Sequence, residues 1–193
     1  MQIESGPFAG LERNGYAAVL ADPPWRFETW SAKGMGRAPD YSTMTFGELA
    51  ALPIERLAAP DCVLFIWISW PMLESGLHVI DRWRFKYKTC GFCWVKSVGT
   101  NVAVGTGYWT RANSEVCLLA TRGKPKRLNA DVRQGIIEPR REHSRKPDCV
   151  HERIERLVAG PYLELFARRS RPGWTTWGNE ATKFDRPNLE AAE

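Results

Sequence analysis

Tyr16-Ala17-Ala18-Val19-Leu20-Ala21-Asp22-Pro23-Pro24-Trp25 is an apolar run that stops abruptly at a carboxylate, two prolines and an indole. The first six residues read as a short buried strand, and in open α/β sheets ligands sit just beyond the carboxyl ends of strands. Asp22 falls at such an end. Two prolines fix φ near about −65° and bias each preceding residue toward extended geometry. Asp22 and the Pro23 carbonyl therefore project with little freedom beside Trp25. A planar amine suits this equipment: its hydrogens go to the carboxylate and the carbonyl, and its ring stacks on the indole. The bland alternative is an aspartate opening a proline turn, with Trp25 plugging the core.

Downstream of this stretch, strands and helices alternate. Arg26 to Met44 is a long irregular segment, and a loop of that length is more often functional than incidental. Its Gly34-Met35-Gly36 lacks the third glycine and the following helix of a dinucleotide fingerprint. Thr45-Phe46-Gly47-Glu48 fits a capping box and predicts a helix to about Ala51. Cys62 to Ile68 is a continuous β-branched and aromatic run, as in a strand covered on both faces. Pro71 suits a first helical turn, and Met72, Leu73, Leu77, Ile80 and Trp83 give that helix an apolar stripe. Gly91 to Lys96 and Glu115 to Thr121 are further strands, joined by a hairpin or a crossover. The stretch from Arg122 to Arg145 is polar and cationic; with the Arg26 to Met44 loop it is expected to flank the site and suits contacts to a polyanion that are not sequence-specific, a solvated loop being the bland alternative. Asp148 to Val158 has helical spacing, Tyr162 to Ala167 is a core strand, and Trp174 to Trp177 is a short one. Such alternation predicts an α/β three-layer sandwich with a largely parallel central sheet.

With 193 residues there is room for one domain, expected over residues 1–182, followed by a loose tail over 183–193. The chain is 44% hydrophobic and 25% charged, an ordinary globular composition, and no apolar run approaches the roughly 20 residues of a membrane span. The N-terminus carries no basic region and no apolar signal core, so a cytoplasmic location is expected. A net charge of +5 favours polyanionic partners. The five cysteines are expected to be reduced, with Cys62 and Cys117 in the core. Cys90-Gly91-Phe92-Cys93 has no second pair, and His143, Cys149 and His151 have no recognisable ligand spacing, so no metal site is expected.

The C-terminal third carries a second set of chemical groups. Lys146-Pro147-Asp148 precedes a helix, whose N-terminus adds positive potential for a carboxylate. Glu164 lies inside a buried run and needs a partner there, whether ribose hydroxyls or Arg168. Gly178-Asn179-Glu180 offers an amide and a carboxylate at a tight turn, suited to the edge of an adenine ring.

Taken in order, these pieces resemble the MT-A70 family of adenine-N6 methyltransferases. The likeness runs from about Tyr16 to Glu180 through Asp22 to Trp25, Tyr41-Ser42-Thr43-Met44, Leu64 to Trp67, Trp94-Val95-Lys96, Gly107-Tyr108-Trp109, Ser144 to Asp148, Glu164 to Arg168 and Gly178 to Glu180. It implies a Rossmann-like fold that binds S-adenosylmethionine, with the catalytic motif N-terminal to the cofactor-binding strand. By position it implies that Asp22, Pro23, Pro24 and Trp25 form the catalytic motif. Asp22, Lys146, Glu164, Phe166, Arg168, Asn179 and Glu180 would contact the cofactor. Trp25, Tyr41, Glu115, Arg141 and Lys146 would face the substrate. Two departures from the larger eukaryotic members stand out: Arg169-Ser170-Arg171 replaces the polar residues after the ribose-binding arginine, and the upstream cofactor contacts and nucleic-acid modules are not matched. Small size and the lack of zinc fingers look like bacterial or bacteriophage members acting on DNA. The motifs also fit an RNA substrate, or a catalytically silent nucleic-acid-binding subunit, although the intact Asp22 to Trp25 motif argues against silence. A homodimer or a heteromeric partner is compatible with the resemblance.

Overall fold

The computed structural model describes residues 1–26, 42–105, 107, 109–141 and 145–185. Tyr41, Tyr108, His143 and Ser144 lie outside the described residues. At the centre of the fold is the opening strand, β1 (Tyr16–Ala21), hydrogen-bonded in parallel to β2 (Ala58–Ile68) on one side and β7 (Tyr162–Leu165) on the other. Its apolar run needs no alternation because both faces are covered. Val19 and Ala21 point into one core with Leu64, Ile66, Leu163 and Leu165. Ala18 and Leu20 point into a second core with Val63, Phe65 and Trp67.

Helices supply the outer layers. Helix α1 (Phe46–Ala50) is closed by the expected capping box: Thr45 accepts from the Glu48 backbone and Glu48 reaches back to Thr45 N–H at 2.7 Å. Helix α2 (Leu73–Arg82) follows a 3₁₀ turn over Trp70–Met72, and its Trp83 cap is buried with its indole N–H on Leu49 O at 2.8 Å. Both helices cover the first core. Helix α3 (Cys149–Leu157) covers the second through Val150 and Ile154. The result is the three-layer, Rossmann-like α/β sandwich.

The sheet divides into two halves. On one side β1, β2, β7 and β8 (Trp174–Trp177) run parallel. On the other, β5 (Ser114–Arg122) is antiparallel to both β2 and β3 (Lys86–Val98), and β3 is antiparallel to β4 (Asn101–Val102). The connection from β3 to β5 is therefore antiparallel, and the sheet is mixed. The Arg122 to Arg145 stretch is not wholly a loop: β6 (Gly135–Pro139) pairs in parallel with β3, burying Ile136 and exposing Ile137. A β-branched pair between Gly135 and Pro139 was the available signal, masked by flanking charge. β2 starts earlier than its apolar run because Pro60 and Asp61 sit where the pairing with β1 shifts register, at an exposed irregularity that tolerates proline.

The chain ends are tied down as far as they are described. Ile3 and Phe8 are buried, and the Trp177 indole N–H donates to Pro7 O at 2.9 Å. At the start of the expected tail, Phe184 N–H donates to Arg168 O and Ser170 N–H to Asp185 Oδ1, and residues 186–193 of it lie outside the described residues. No described helix is long and apolar enough to cross a membrane.

Two helical glycines should respond oppositely to alanine. A Cβ on Gly76 would lie 2.8 Å from Ile68 Cγ2, whereas one on Gly47 meets nothing within 4 Å. Gly47→Ala is expected to stabilise by about 0.5–1 kcal/mol. Gly76→Ala should destabilise by up to about 2 kcal/mol, since overpacking of about 1–3 outweighs the propensity gain of about 1. Urea denaturation midpoints of the two variants check the signs.

Candidate active site

Because β1, β2, β7 and β8 run the same way, their carboxyl ends share one edge of the sheet. β5 begins at that edge and β3 ends there. Asp22, directly after β1, has its backbone N–H held by Leu165 O at the end of β7, at 3.4 Å. The prolines then turn the chain: Trp25 N–H donates to Pro23 O at 2.8 Å, Met44 N–H to Pro24 O at 2.8 Å and Arg26 N–H to Met44 O at 3.1 Å. The Pro23 carbonyl thus has one bond within the turn and a second lone pair to offer.

Trp25 is not an exposed wall beside Asp22. It is 5% exposed, packs in the first core, and its indole N–H donates to Trp67 O at 3.0 Å. The indole N–H needs a buried acceptor, and the end of β2 supplies one, so the ring serves as the plug that locks the proline turn to the sheet.

Asp22 is the end of a chain of alternating charges. Lys146 Nζ lies 2.8 Å from Asp22 Oδ2 and 3.3 Å from Glu115 Oε2, and Glu115 Oε1 pairs with Lys96. Burial pushes the Asp22 carboxyl above its ordinary value, and the neighbouring Lys146 ammonium only partly offsets that. Burial also acts on Glu115, yet Lys146 and Lys96 together outweigh it and hold that carboxyl below the usual range. For Lys146 burial works against the charge, but Asp22 and Glu115 overcome it and keep the ammonium firmly protonated.

Two cavities meet at this cluster. The larger, about 410 Å³, runs over β7 toward α3 and is lined by Glu164, His151, Arg171 and Phe184 among others. The smaller, about 340 Å³, runs over β8 and is lined by Pro23, Pro24, Met44, Trp177, Asn179 and Glu180. Asp22, Lys146, Phe166 and Arg168 border both. Phe166 takes φ +60° immediately after β7, a left-handed conformation unusual for an aromatic residue and typical of strain held at a site.

The other predicted site residues are distributed unevenly around these cavities. Glu164 lines the larger cavity, and its Oε2 lies 2.8 Å from His151 Nε2. Arg168 pairs with Glu180 at 3.2 Å. Glu115 and Arg141 line neither cavity. Arg141 instead braces the segment before α3, donating to Asp148 Oδ2 at 2.7 Å and to the Lys146 carbonyl. Two of its donors are thus engaged within the protein, and the side chain stays about a quarter exposed. Burial raises the Asp148 carboxyl, and Arg141 and Arg145 more than reverse that.

The sequence reading missed His151 as a site residue and Lys96 as a member of the charge chain. His151 was legible only as a failed metal ligand; its spacing from Val150 and Ile154 on one helix face was the usable signal. Among the described residues no group of three or more His, Cys, Asp or Glu side chains could hold a metal. Burial pushes the Cys62 thiol up to about 12 and those of Cys90 and Cys149 to about 11, so none of these three is a ready nucleophile.

Comparison with known proteins gives this edge of the sheet a lineage. The type II methyltransferase M.MunI from a Mycoplasma species is 32% identical over 90% of this chain and 81% of its own length. The human N(6)-adenosine-methyltransferase catalytic subunit is 32% identical over 86% of this chain but only 28% of its own. The MT-A70-like N(6)-adenosine-methyltransferase of Arabidopsis thaliana is 31% identical, again over 86% of this chain and 24% of that protein. The chain thus spans about a quarter of the length of these two eukaryotic relatives. The MT-A70 family profile matches residues 16–180, from the first residue of β1 to the turn after β8, and the chain belongs to the MT-A70 family.

Proposed function

We propose that this protein transfers a methyl group from S-adenosylmethionine to the N6 amine of adenine in DNA. The observation that carries the reading is Asp22: a carboxylate at the carboxyl end of the central strand, at the junction of two cavities, 2.8 Å from a buried ammonium. DNA is favoured because the similarity to the type II methyltransferase runs along 81% of that protein. The adenosine-methyltransferase names of the eukaryotic relatives make RNA the second reading.

The lining residues fit the cofactor. Lys146, before the N-terminus of α3, suits the methionine carboxylate, and Glu164 is an acceptor for ribose hydroxyls. Asn179 and Glu180 suit an adenine edge, and Phe166 gives an apolar surface between them. The Nδ1 atom of His151, on the larger cavity, is a buried polar atom with no partner among the described residues, a group that a bound polar molecule or water could satisfy. Each cavity volume lies in or near the range of small-molecule sites. When bound, the cofactor supplies a methyl group made electrophilic by its sulfonium.

The chain's own residues act on the amine. The lone pair of an exocyclic adenine nitrogen is delocalised into the ring, so the nitrogen is a weak nucleophile. Hydrogen bonds from its two hydrogens to Asp22 and to the second lone pair of Pro23 O favour a more tetrahedral nitrogen. Lys146 steadies the charged form of Asp22 against burial, and Glu115 keeps Lys146 in register. The acceleration then comes from fixed dipoles and charges aimed at one amine. In duplex DNA the base must first leave the stack, at a cost of a few kcal/mol.

The decisive experiment incubates the protein with labelled cofactor and DNA or RNA side by side, followed by nucleoside mass spectrometry. N6-methyladenine in the DNA arm is expected, and no labelled nucleoside in either arm would overturn the proposal. Asp22→Asn should lower kcat by about 10²–10³, the scale of losing one preorganised polar contact. Lys146→Ala should weaken cofactor binding at least tenfold by calorimetry, since a charge-assisted hydrogen bond contributes about 1.5–3 kcal/mol.

The raised Asp22 value sets the acid limb of activity. Asp22 accepts hydrogen bonds only when ionised, so kcat/KM should fall as pH drops through a point above the ordinary aspartate value of about 3.9. Glu115 is a like charge that raises Asp22. Glu115→Gln removes it and frees Lys146 for Asp22, so the acid limb should move to lower pH.

A further inference from the structure

Burial of Trp25 leaves the target base without the aromatic partner expected for it. Among the described tryptophans, Trp25, Trp67, Trp83 and Trp94 are at most 5% exposed and Trp174 is 8%, whereas Trp70 is 49% exposed and Trp109, in the loop before β5, is 99% exposed. Trp70 stands two residues beyond the end of β2, the strand next to β1, at the same edge as Asp22. Its N–H is already used, donating to Ser114 Oγ at 3.0 Å at the start of β5. With that polar handle bound inside the protein, the exposed part of the side chain is ring.

The indole is also held in place. Trp70 opens a 3₁₀ turn whose next residue is Pro71, and the Ser114 bond ties the ring across to β5. A ring fixed in this way loses little freedom when a second ring stacks on it. Ser114 and Glu115 are consecutive on β5 and point to opposite faces of the sheet, so Trp70 stands on the face of the first core, the one Trp25 packs into, while Glu115 and Lys146 lie on the other face. Both cavities open from Asp22 toward β7 and β8. A base approaching Asp22 from the opposite side meets the ends of β2 and β5, where Trp70 stands.

We infer that Trp70 is a stacking platform for the nucleic-acid substrate, binding the face of the target adenine or of the base beside it. This rests on the reading of the protein as an adenine methyltransferase with its cofactor over β7 and β8. The rival role is purely structural, the indole acting as a staple between β2 and β5 through Ser114.

The test compares wild type with Trp70→Ala, Trp70→Phe and Ser114→Ala. Steady-state kinetics use a mixed-sequence single-stranded DNA containing adenine, and calorimetry measures S-adenosylhomocysteine binding. Stacking of one base spans roughly 5- to 150-fold in affinity, so Trp70→Ala should lower kcat/KM for DNA within that range. Cofactor affinity should stay within twofold. Trp70→Phe keeps a ring but cannot bond Ser114, and should recover most of the loss; Ser114→Ala keeps the ring and should cost less than Trp70→Ala. An oligonucleotide carrying 2-aminopurine, whose fluorescence falls on stacking, should be quenched less by Trp70→Ala than by wild type at saturation. A DNA kcat/KM within twofold of wild type in Trp70→Ala, a parallel loss of cofactor affinity, or Trp70→Phe behaving like Trp70→Ala would overturn the inference. Wild type that neither methylates nor binds either polymer would sink the methyltransferase reading itself. An active wild type indifferent to Trp70 sinks only the platform.

Discussion

Lys146 joins parts of the chain that are otherwise far apart. Its ammonium lies between Asp22, 124 residues earlier, and Glu115, 31 residues earlier. Taking charged groups partly out of water is costly, and burial pushes the Asp22 carboxyl above its ordinary value. Alternation of sign along Lys96, Glu115, Lys146 and Asp22 makes the arrangement tolerable, because each internal member has an opposite charge on both sides. Such a chain contributes little certain stability. What it supplies is a carboxylate held in one orientation, with the Lys146 ammonium partly offsetting the upward push of burial on Asp22.

The mixed sheet gives that carboxylate two kinds of surroundings. On the parallel side, β7 and β8 end in turns that leave open space: Phe166 in a left-handed conformation, and Gly178 pressed so closely on Phe166 and Ala167 that a Cβ would come within 3.0 Å of their backbone. Both cavities lie there. On the antiparallel side, β5 enters the edge where β2 leaves it, and β3 ends there too, with α2 connecting β2 to β3.

Aromatic residues illustrate how much of this was legible. The proline turn after β1 was readable because φ of proline is fixed by covalent geometry, and Thr45 with Glu48 was readable because a capping box is local. Trp25 was not, since an indole beside a site aspartate can face a ligand or the core. The acceptor at Trp67 O, 42 residues away, decides for the core. Trp70 drew no reading from the sequence, and the hydroxyl of Ser114, 44 residues away, accepts from its indole N–H. For Arg141, which the resemblance put on the substrate side, the structure adds Asp148 and the Lys146 carbonyl as partners. In each case the residue type stated a need and a distant atom determined how it was met.

The same division holds for the chain as a whole. Hydrophobic runs, proline positions and caps are properties of neighbouring residues, so β1, β2, β5, β7, β8 and the three helices, together with the family signature around Asp22, were contained in the sequence alone. Strand direction is not local: whether β5 lies parallel or antiparallel to β2 depends on which edge is vacant when the chain returns, and β6 becomes a strand only because β3 offers it a ladder. Electrostatics is the least local of all. That Asp22 titrates high, Glu115 low and Lys146 high follows from their mutual distances and shared burial, quantities that exist only once segments more than a hundred residues apart meet at one edge of one sheet.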